Sequence, residues 1–153
     1  MVKKGVFTRT DPELVSVLEQ LQLREPIFHT PEFGSTRADF ERATVPEYWE
    51  TSASGRRYSR GFILSTLEQN PPVDAAAAGW QCYDHALRRL SPDTYLLTYT
   101  LRQVERVTRR ATIWQSMNGG WRILYHQGTT VSEEVDDMVP ASWLEVSPWS
   151  QKK

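Results

Sequence analysis

Three consecutive β-strands are predicted for residues 93–131, which read DTYLLTYTLRQVERVTRRATIWQSMNGGWRILYHQGTTV. The segments Tyr95–Leu101 and Val107–Trp114 are rich in aromatic, β-branched and aliphatic residues and contain no Gly or Pro. The sequence Asn118-Gly119-Gly120 predicts a hairpin turn, because a primed turn needs the positive φ angles that Asn and Gly tolerate best. We expect Trp121–Val131 to be the returning strand.

The composition restricts the partners that we expect this chain to bind. It has 153 residues, enough for one domain with a substantial core, and a formal net charge of −1. The basic residues between Arg102 and Arg110 are interrupted by Glu105. Because the chain carries no overall positive field, we expect no nucleic-acid partner.

The residue types and their spacing do not indicate metal or cofactor chemistry. The one cysteine, Cys82, excludes an intramolecular disulfide and a paired-cysteine metal site. The three histidines (His29, His85 and His126) do not have the spacing typical of a zinc site. The sequence contains no glycine-rich phosphate loop and no nucleophile elbow. We therefore predict no metal and no cofactor.

A membrane partner is not expected either. No stretch approaches the roughly 20 apolar residues that a membrane span requires. The first residues, MVKKGVFTRTDPEL, lack the apolar core of a secretory signal. We therefore expect a cytoplasmic location.

The first half of the chain predicts three helices and a short hairpin. Thr10 and Glu13 fit a capping box around Pro12, and the apolar spacing that follows predicts a helix that ends before Pro26. Thr36 and Ser59 are expected to cap a second and a third helix. The predicted strands of this half are Tyr48–Thr51, Arg56–Tyr58 and Trp80–Leu87.

Helices that precede long antiparallel strands indicate an α+β fold. We expect three N-terminal helices packed on one face of a curved, mostly antiparallel sheet. Residues 1–131 are predicted to form this single domain. Residues 132–153, which are acidic at first and then contain Trp143 and Trp149, are predicted to form an irregular tail that packs on the body or on a partner subunit.

Four short blocks of the sequence resemble the nuclear transport factor 2-like (NTF2-like, or SnoaL-like) superfamily. Within it, the chain is most similar to the uncharacterised branch named domain of unknown function 4440. The blocks are Pro31-Glu32-Phe33-Gly34, Ala53-Ser54-Gly55-Arg56-Arg57-Tyr58, Arg109-Arg110-Ala111-Thr112-Ile113-Trp114 and Gly120-Trp121-Arg122-Ile123-Leu124-Tyr125-His126.

The resemblance implies a fold more clearly than an activity. Its members form a cone-shaped α+β barrel that encloses a pocket, so we expect such a cone here, with the three helices on the concave side of the sheet. Many members are homodimers through the outer sheet face, so we also expect a homodimer. Active isomerases and dehydratases of the superfamily use an Asp or a Tyr-Asp-His set inside the cone. Those positions have no residue-by-residue match in this chain, so no mechanism is transferred.

Strand alternation separates the residues of the last strand into two faces. Trp121 and Ile123 are typical core residues, which predicts that Tyr125 and Gln127 line the pocket and that His126 faces outward. A β-bulge in this strand would reverse the assignment.

One of Arg109 and Arg110 must face inward if both lie on a regular strand, and an inward arginine needs a carboxylate or an anionic ligand. The alternatives are an Arg–Glu bridge, with Glu50 as first partner and Asp84 as second, or a site that holds a ligand oxygen. Tyr99 is either a packed phenol or a donor to a substrate carbonyl.

Three functions remain open from the sequence. The first is a binding protein for a small polar or carbonyl-bearing ligand. The second is a cofactor-free lyase or isomerase that works by proton transfer, with Glu50, Tyr99 and His126 as catalytic candidates. The third is a protein-interaction module that uses the outer sheet face or the tail. The predicted ligand-binding residues are Glu50, Tyr58, Tyr99, Arg110, Trp114, Tyr125 and Gln127.

Overall fold

The computed structural model describes residues 7–132 and Met138 of this chain. The predicted tail therefore lies almost entirely outside the described residues. A 3-10 turn (Pro12–Leu14) leads into the first α-helix. The helices are α1 (Val15–Gln22), α2 (Arg37–Arg42) and α3 (Arg60–Gln69), and the strands are β1 (Thr44–Thr51), β2 (Arg57–Ser59), β3 (Gln81–Ser91), β4 (Thr94–Arg102), β5 (Val107–Met117) and β6 (Gly120–Thr130).

The strands form one six-stranded sheet in the order β2-β1-β6-β5-β4-β3. Strands β3 to β6 are successive antiparallel neighbours, and β1 pairs with β6 in parallel. The predicted α+β cone is confirmed, with a curved mixed sheet that does not close on itself. The three strands predicted between residues 93 and 131 are β4, β5 and β6.

Side-chain caps explain where two of the three helices begin. The Thr36 side chain accepts from the backbone of Asp39, whose carboxylate accepts in return from the Thr36 backbone. The Ser59 hydroxyl accepts from the backbone of Phe62 at the start of α3. Both caps are as the sequence predicts.

The capping box predicted at Thr10 is wrong. Asp11 precedes the first helical turn and makes no side-chain cap. The Thr10 hydroxyl accepts from the backbone N–H of Leu87 at 2.9 Å. Because β3 is an edge strand, Thr10 satisfies a backbone donor that no neighbouring strand reaches.

The core fills the space between the helices and the concave face of the sheet. Aromatic rings of the segment that follows α1 pack edge to face with rings of α2, β1 and β5. The apolar side chains of the sheet that are most completely buried are Leu97, Leu101, Trp114 and Ile123. This packing defines the concave face, and every polar group on the same face has to find a partner there.

Candidate functional site

Arg110 lies on the concave face of the sheet. It shares that face of β5 with Thr108, Thr112 and Trp114, each of which is fully buried. Its Nε donates to the Thr108 hydroxyl at 2.9 Å, and its Nη1 lies 3.3 Å from Nε2 of His126. The neighbouring Arg109 faces the other side, where its Nη1 donates to Thr100.

The predicted Arg–Glu bridge to Arg110 is not present. Among the residues that the structure describes, no carboxylate lies within 4.0 Å of its guanidinium. Asp84 instead approaches Arg109, at 3.9 Å. The Nη2 of Arg110 has no hydrogen-bond partner within the described part of the chain, and no buried side-chain nitrogen or oxygen there lacks one. Nη2 is therefore not completely buried.

A β-bulge in β6 reverses the predicted orientation of that strand. Trp114 pairs with Ile123 but Ile113 pairs with Tyr125, so Leu124 is an extra residue between two pairs. His126 consequently points into the cone and is 2% exposed, whereas Gln127 is exposed. The prediction that Tyr125 and Gln127 line the pocket and that His126 faces outward is wrong.

Tyr125 and Gln127 belong to the outer face. The Tyr125 ring packs edge to face against Trp49, and its hydroxyl donates to Gln127 at 2.7 Å. Neither residue is available to a ligand inside the cone. Both contribute instead to the surface on the opposite side of the sheet.

A carboxylate that the sequence reasoning missed, Glu25, occupies the centre of the cone. It lies just after α1 and is 4% exposed. Its Oε1 accepts from the Tyr99 hydroxyl at 2.7 Å, and its Oε2 accepts from Nε1 of Trp114 at 3.0 Å. Thr112 and the backbone of Ile27 also lower the pKa of its carboxyl.

Burial dominates the electrostatics of Glu25. Loss of solvent raises its pKa from 4.5 to about 7, although the hydrogen bonds from Thr112, Tyr99, Trp114 and Ile27 lower it. An acid of this kind exchanges its proton near neutral pH. Glu25 is enclosed by protein side chains and is not a surface group.

Tyr99 and Trp114 are structural partners of Glu25. Tyr99 is 3% exposed, Trp114 is 0% exposed, and each directs its polar hydrogen to the carboxylate. In this structure neither polar hydrogen is directed to a ligand, and the expected ligand contacts of Tyr99 and Trp114 remain predictions. Tyr99 on β4 and Trp114 on β5 donate to the two oxygens of one buried carboxylate. The sequence does not show this arrangement unless the position of Glu25 is known.

Glu50, which the sequence predicts as a ligand-binding residue and a candidate base, lies on the same face of the sheet as Arg110. It pairs with His126 across β1 and β6, so it shares the concave face. Its Oε1 accepts from the Tyr48 hydroxyl at 2.6 Å, and its side chain is half-buried. Burial raises its pKa, while the Tyr48 hydrogen bond and the Arg110 charge lower it. Tyr58 lies opposite Glu50 on β2 and stacks on Phe62.

His126 is a poor catalytic base where the structure places it. Burial, and then the charge of Arg110, lower its pKa to about 3. Both ring nitrogens are engaged, Nδ1 with the Thr112 hydroxyl at 2.7 Å and Nε2 with Arg110. The imidazole is therefore neutral and links its neighbours rather than taking protons from a ligand.

His29 and a separate surface cavity are two other possible sites of ligand contact. His29 bonds through Nδ1 to the Val73 carbonyl and packs against Trp80, and burial is the main cause that lowers its pKa. A separate cavity of about 790 Å³ borders the β3–β4 hairpin, and none of the predicted site residues lines it. In the described residues, no three His, Cys, Asp or Glu side chains are grouped to hold a metal ion.

Glu25 was missed because its contacts are distant in the sequence. It stands 74 residues from Tyr99 and 89 from Trp114. The local signal is that Glu25 directly precedes an apolar segment, Pro26–Phe28, and that this segment is buried. A charged residue that enters the core with such a segment needs buried donors.

Comparisons with solved structures show what this arrangement resembles. A cystatin-like fold protein from Burkholderia xenovorans LB400 superposes with a TM-score of 0.59 and 12% identity, over 80% of this chain and 95% of that one. An NTF2-like protein from Cytophaga hutchinsonii gives 0.54 and 12%, over 80% and 100%. A putative calcium/calmodulin dependent protein kinase II association domain from Xanthomonas campestris gives 0.54 and 16%, over 80% and 91%.

The sequence matches no protein-family model and no curated protein. In the described residues, no helix is long and apolar enough to cross a membrane. With its helices, its curved six-stranded sheet and these neighbours, the chain has the NTF2-like, or cystatin-like, fold.

Proposed function

We propose that this protein binds a small ligand bearing a carboxylate or a carbonyl at the guanidinium of Arg110. The observation that carries the proposal is the unpaired Nη2 of a half-buried arginine that has no carboxylate partner in the described chain. A partly buried cation without a counter-ion attracts an anion, and a guanidinium holds a carboxylate through two parallel hydrogen bonds.

The surroundings of Arg110 support this proposal. Gly128 pairs with Arg110 across β5 and β6, and its missing side chain leaves the guanidinium room. Glu50 offers a second polar contact, because its Oε2 has no partner among the described residues. A ligand with a carboxylate and an adjacent hydroxyl group would use both, because the hydroxyl donates to Glu50.

Calorimetric titration of acetate, pyruvate and larger monocarboxylates or 2-oxo acids tests the proposal. We expect binding to the parent protein and loss of at least about tenfold in affinity in Arg110→Met, the scale of a charge-assisted hydrogen bond. Arg109→Met, on the outer face, is the matched control and should bind normally. If no compound of this panel binds, or if both variants lose affinity equally, the proposal is wrong.

Glu50 favours a second function, proton transfer on such a ligand. Its carboxyl shares the concave face with Arg110, and burial raises its pKa toward the range that suits a general base. With a 2-oxo acid held at Arg110, the carboxylate of Glu50 would take a proton from the carbon next to the carbonyl. The same group would return it to the same or a neighbouring carbon.

Hydrogen–deuterium exchange of the pyruvate methyl group, followed by proton NMR in D₂O, tests this second function. Exchange should be faster with the parent protein than with buffer alone, and Glu50→Gln should remove the acceleration. Glu47→Gln, at an exposed position of the same strand, is the control. Equal rates with and without protein would exclude this function for that class of ligand.

A homodimer through the outer sheet face is also a proposal. Register places Leu96, Ile113, Tyr125 and Trp49 in one row across four strands of that face, and Trp49 is 43% exposed. An apolar row of this length is suited to contact with a second copy. Membership of the branch named domain of unknown function 4440, a cytoplasmic location and the separate tail of residues 132–153 stand as proposals on the sequence alone.

A further inference from the structure

A cavity of about 790 Å³ lies beside the free edge of β3, at its hairpin with β4. One side of it is β3 itself, from Leu87 onward, and the other is the segment that leads into α1, which contributes Arg9, Asp11 and Leu14. Leu14 and Leu87 are buried core residues. The cavity therefore reaches from the surface to the apolar interior.

The backbone groups of β3 point in turn toward β4 and toward the free edge of the sheet. The Leu87 N–H points to the free edge, where it donates to the Thr10 hydroxyl. Arg89 lies two residues further along a regular stretch of pairs, so its N–H and C=O point to the same edge. Neither group has a hydrogen-bond partner in the described part of the chain. Arg89 can therefore exchange two hydrogen bonds with one residue of an added antiparallel strand.

The charge of the lining residues favours an acidic partner. Arg9 and Asp11 neutralise each other in an ion pair of 3.2 Å. The Arg89 guanidinium donates to a neutral tyrosine hydroxyl, and Arg88 is exposed and makes no ion pair with any residue that the structure describes. Two cations therefore remain at the cavity against one carboxylate, that of Glu13.

We propose that this cavity binds a short, extended acidic peptide, which pairs with β3 at Arg89 as an added antiparallel strand. Side chains alternate along such a strand, so its apolar side chains pack beside Leu14 and Leu87 while its carboxylates approach Arg88. Because Thr10 occupies the Leu87 N–H, the added strand ends there. The site therefore selects a segment of few residues rather than a long strand.

NMR of the ¹⁵N-labelled full chain, titrated with acetyl-Val-Glu-Val-Glu-Val-amide, tests the pairing. We expect the Arg89 amide resonance to shift and its exchange with solvent to slow at least about tenfold, because the N–H gains an acceptor. The Arg88 amide, which already faces β4, is the internal control and should keep its exchange rate. An Arg89 amide that is unaffected at about 5 mM peptide would overturn the proposal.

Methylated versions of the peptide test whether it binds as a strand. Only alternate N–H groups of an added strand face β3. An N-methyl group on the central valine or on the neighbouring glutamate therefore removes a paired N–H in one peptide and a solvent-facing N–H in the other. We expect one of the two peptides to lose the protection of Arg89 and the other to keep it. Equal behaviour of the two would contradict strand addition.

The acidic preference is tested at low salt with the glutamine peptide acetyl-Val-Gln-Val-Gln-Val-amide and with Arg88→Glu. Each change should weaken binding at least about fivefold, because it removes or reverses an attraction between charges at the cavity. Arg56→Glu, at an exposed position in the turn between β1 and β2, carries the same change of charge away from the cavity and should bind normally. Equal affinity for the two peptides, or equal weakening in the two variants, would show that the partner is not selected for acidity.

Two other occupants of the cavity are distinguished by the same amide resonance. If glutarate alone shifts and protects the Arg89 amide as the peptide does, the cavity is a site for small anions and the proposal is wrong. If the Arg89 amide becomes protected with rising protein concentration and without peptide, the edges of two copies pair with each other, and the proposal is wrong as well.

Discussion

At the scale of single residues, Glu25 makes stability depend on pH with a definite sign. Its folded pKa of about 7 lies above its ordinary value of 4.5, so the folded state binds the proton more tightly than the unfolded state. Its contribution is fully favourable below about pH 4.5 and declines until about pH 7, by about 3 kcal/mol in all.

Replacing Glu25 with Gln should remove this dependence. A Gln side chain directs its oxygen to Trp114, which only donates, and its amide to Tyr99, whose hydroxyl also accepts. Relative to the parent, the free energy of unfolding of the variant should therefore increase by about 3 kcal/mol between pH 4 and pH 8. Urea unfolding at four pH values measures it, with Glu47→Gln as control. A difference that does not change with pH would contradict the assignment.

Gly128 limits the size of the space that Arg110 occupies. A Cβ built on Gly128 would lie 3.6 Å from Cζ of Arg110, which is ordinary contact. We expect Gly128→Ala to fold and to bind carboxylates normally. Gly128→Val, with two further methyl groups at the same place, should displace the guanidinium and weaken binding at least about tenfold, for a steric cost of 1–3 kcal/mol. Equal affinity of the two variants in calorimetry would show that the guanidinium does not depend on this space.

At the scale of elements, strand and helix positions could be predicted but the direction of side chains could not. Residue composition and turn chemistry act locally, so β4 to β6 and the caps at Thr36 and Ser59 follow from the sequence. A bulge is set by how two strands fit a curved core. The extra residue Leu124 reversed His126 and Gln127, and no local sequence pattern marks it.

Thr10 has the sequence pattern of a helix cap but bonds to strand β3 instead, whereas Thr36 does cap its helix. The two residues therefore predict different effects of substitution. Thr10→Ala should leave α1 intact but expose the Leu87 amide to exchange, because that N–H loses its acceptor. Thr36→Ala should instead weaken α2 and cost about 1 kcal/mol of stability. Hydrogen exchange followed by NMR separates the two. Faster exchange in α1 of Thr10→Ala, with Leu87 unchanged, would favour the original capping assignment.

At the scale of the whole molecule, the order of elements predicted the α+β class and the family resemblance predicted the cone, whereas the site was not predictable to the same degree. Helices before antiparallel strands lead to few architectures. The interior polar contacts join residues from distant parts of the chain, Glu25 with Tyr99 and Trp114 in one group and Thr112 with His126 in another. Partners so far apart leave no pattern in a single sequence, and Arg110 was placed only because strand alternation required one inward arginine.

The outer face gives the last prediction, which concerns assembly. If two copies meet through the row that contains Trp49, an arginine there would place two unpaired charges in the interface of a symmetric dimer. Trp49→Arg should therefore sediment as a monomer at concentrations where the parent is dimeric. Because Trp49 is 43% exposed, the variant should retain its fold, which circular dichroism checks. Val104→Arg, at an 88% exposed position in the β4–β5 loop, is the control and should remain dimeric. A parent protein that sediments as a monomer, or a Trp49→Arg variant that stays dimeric, would exclude this face as the contact.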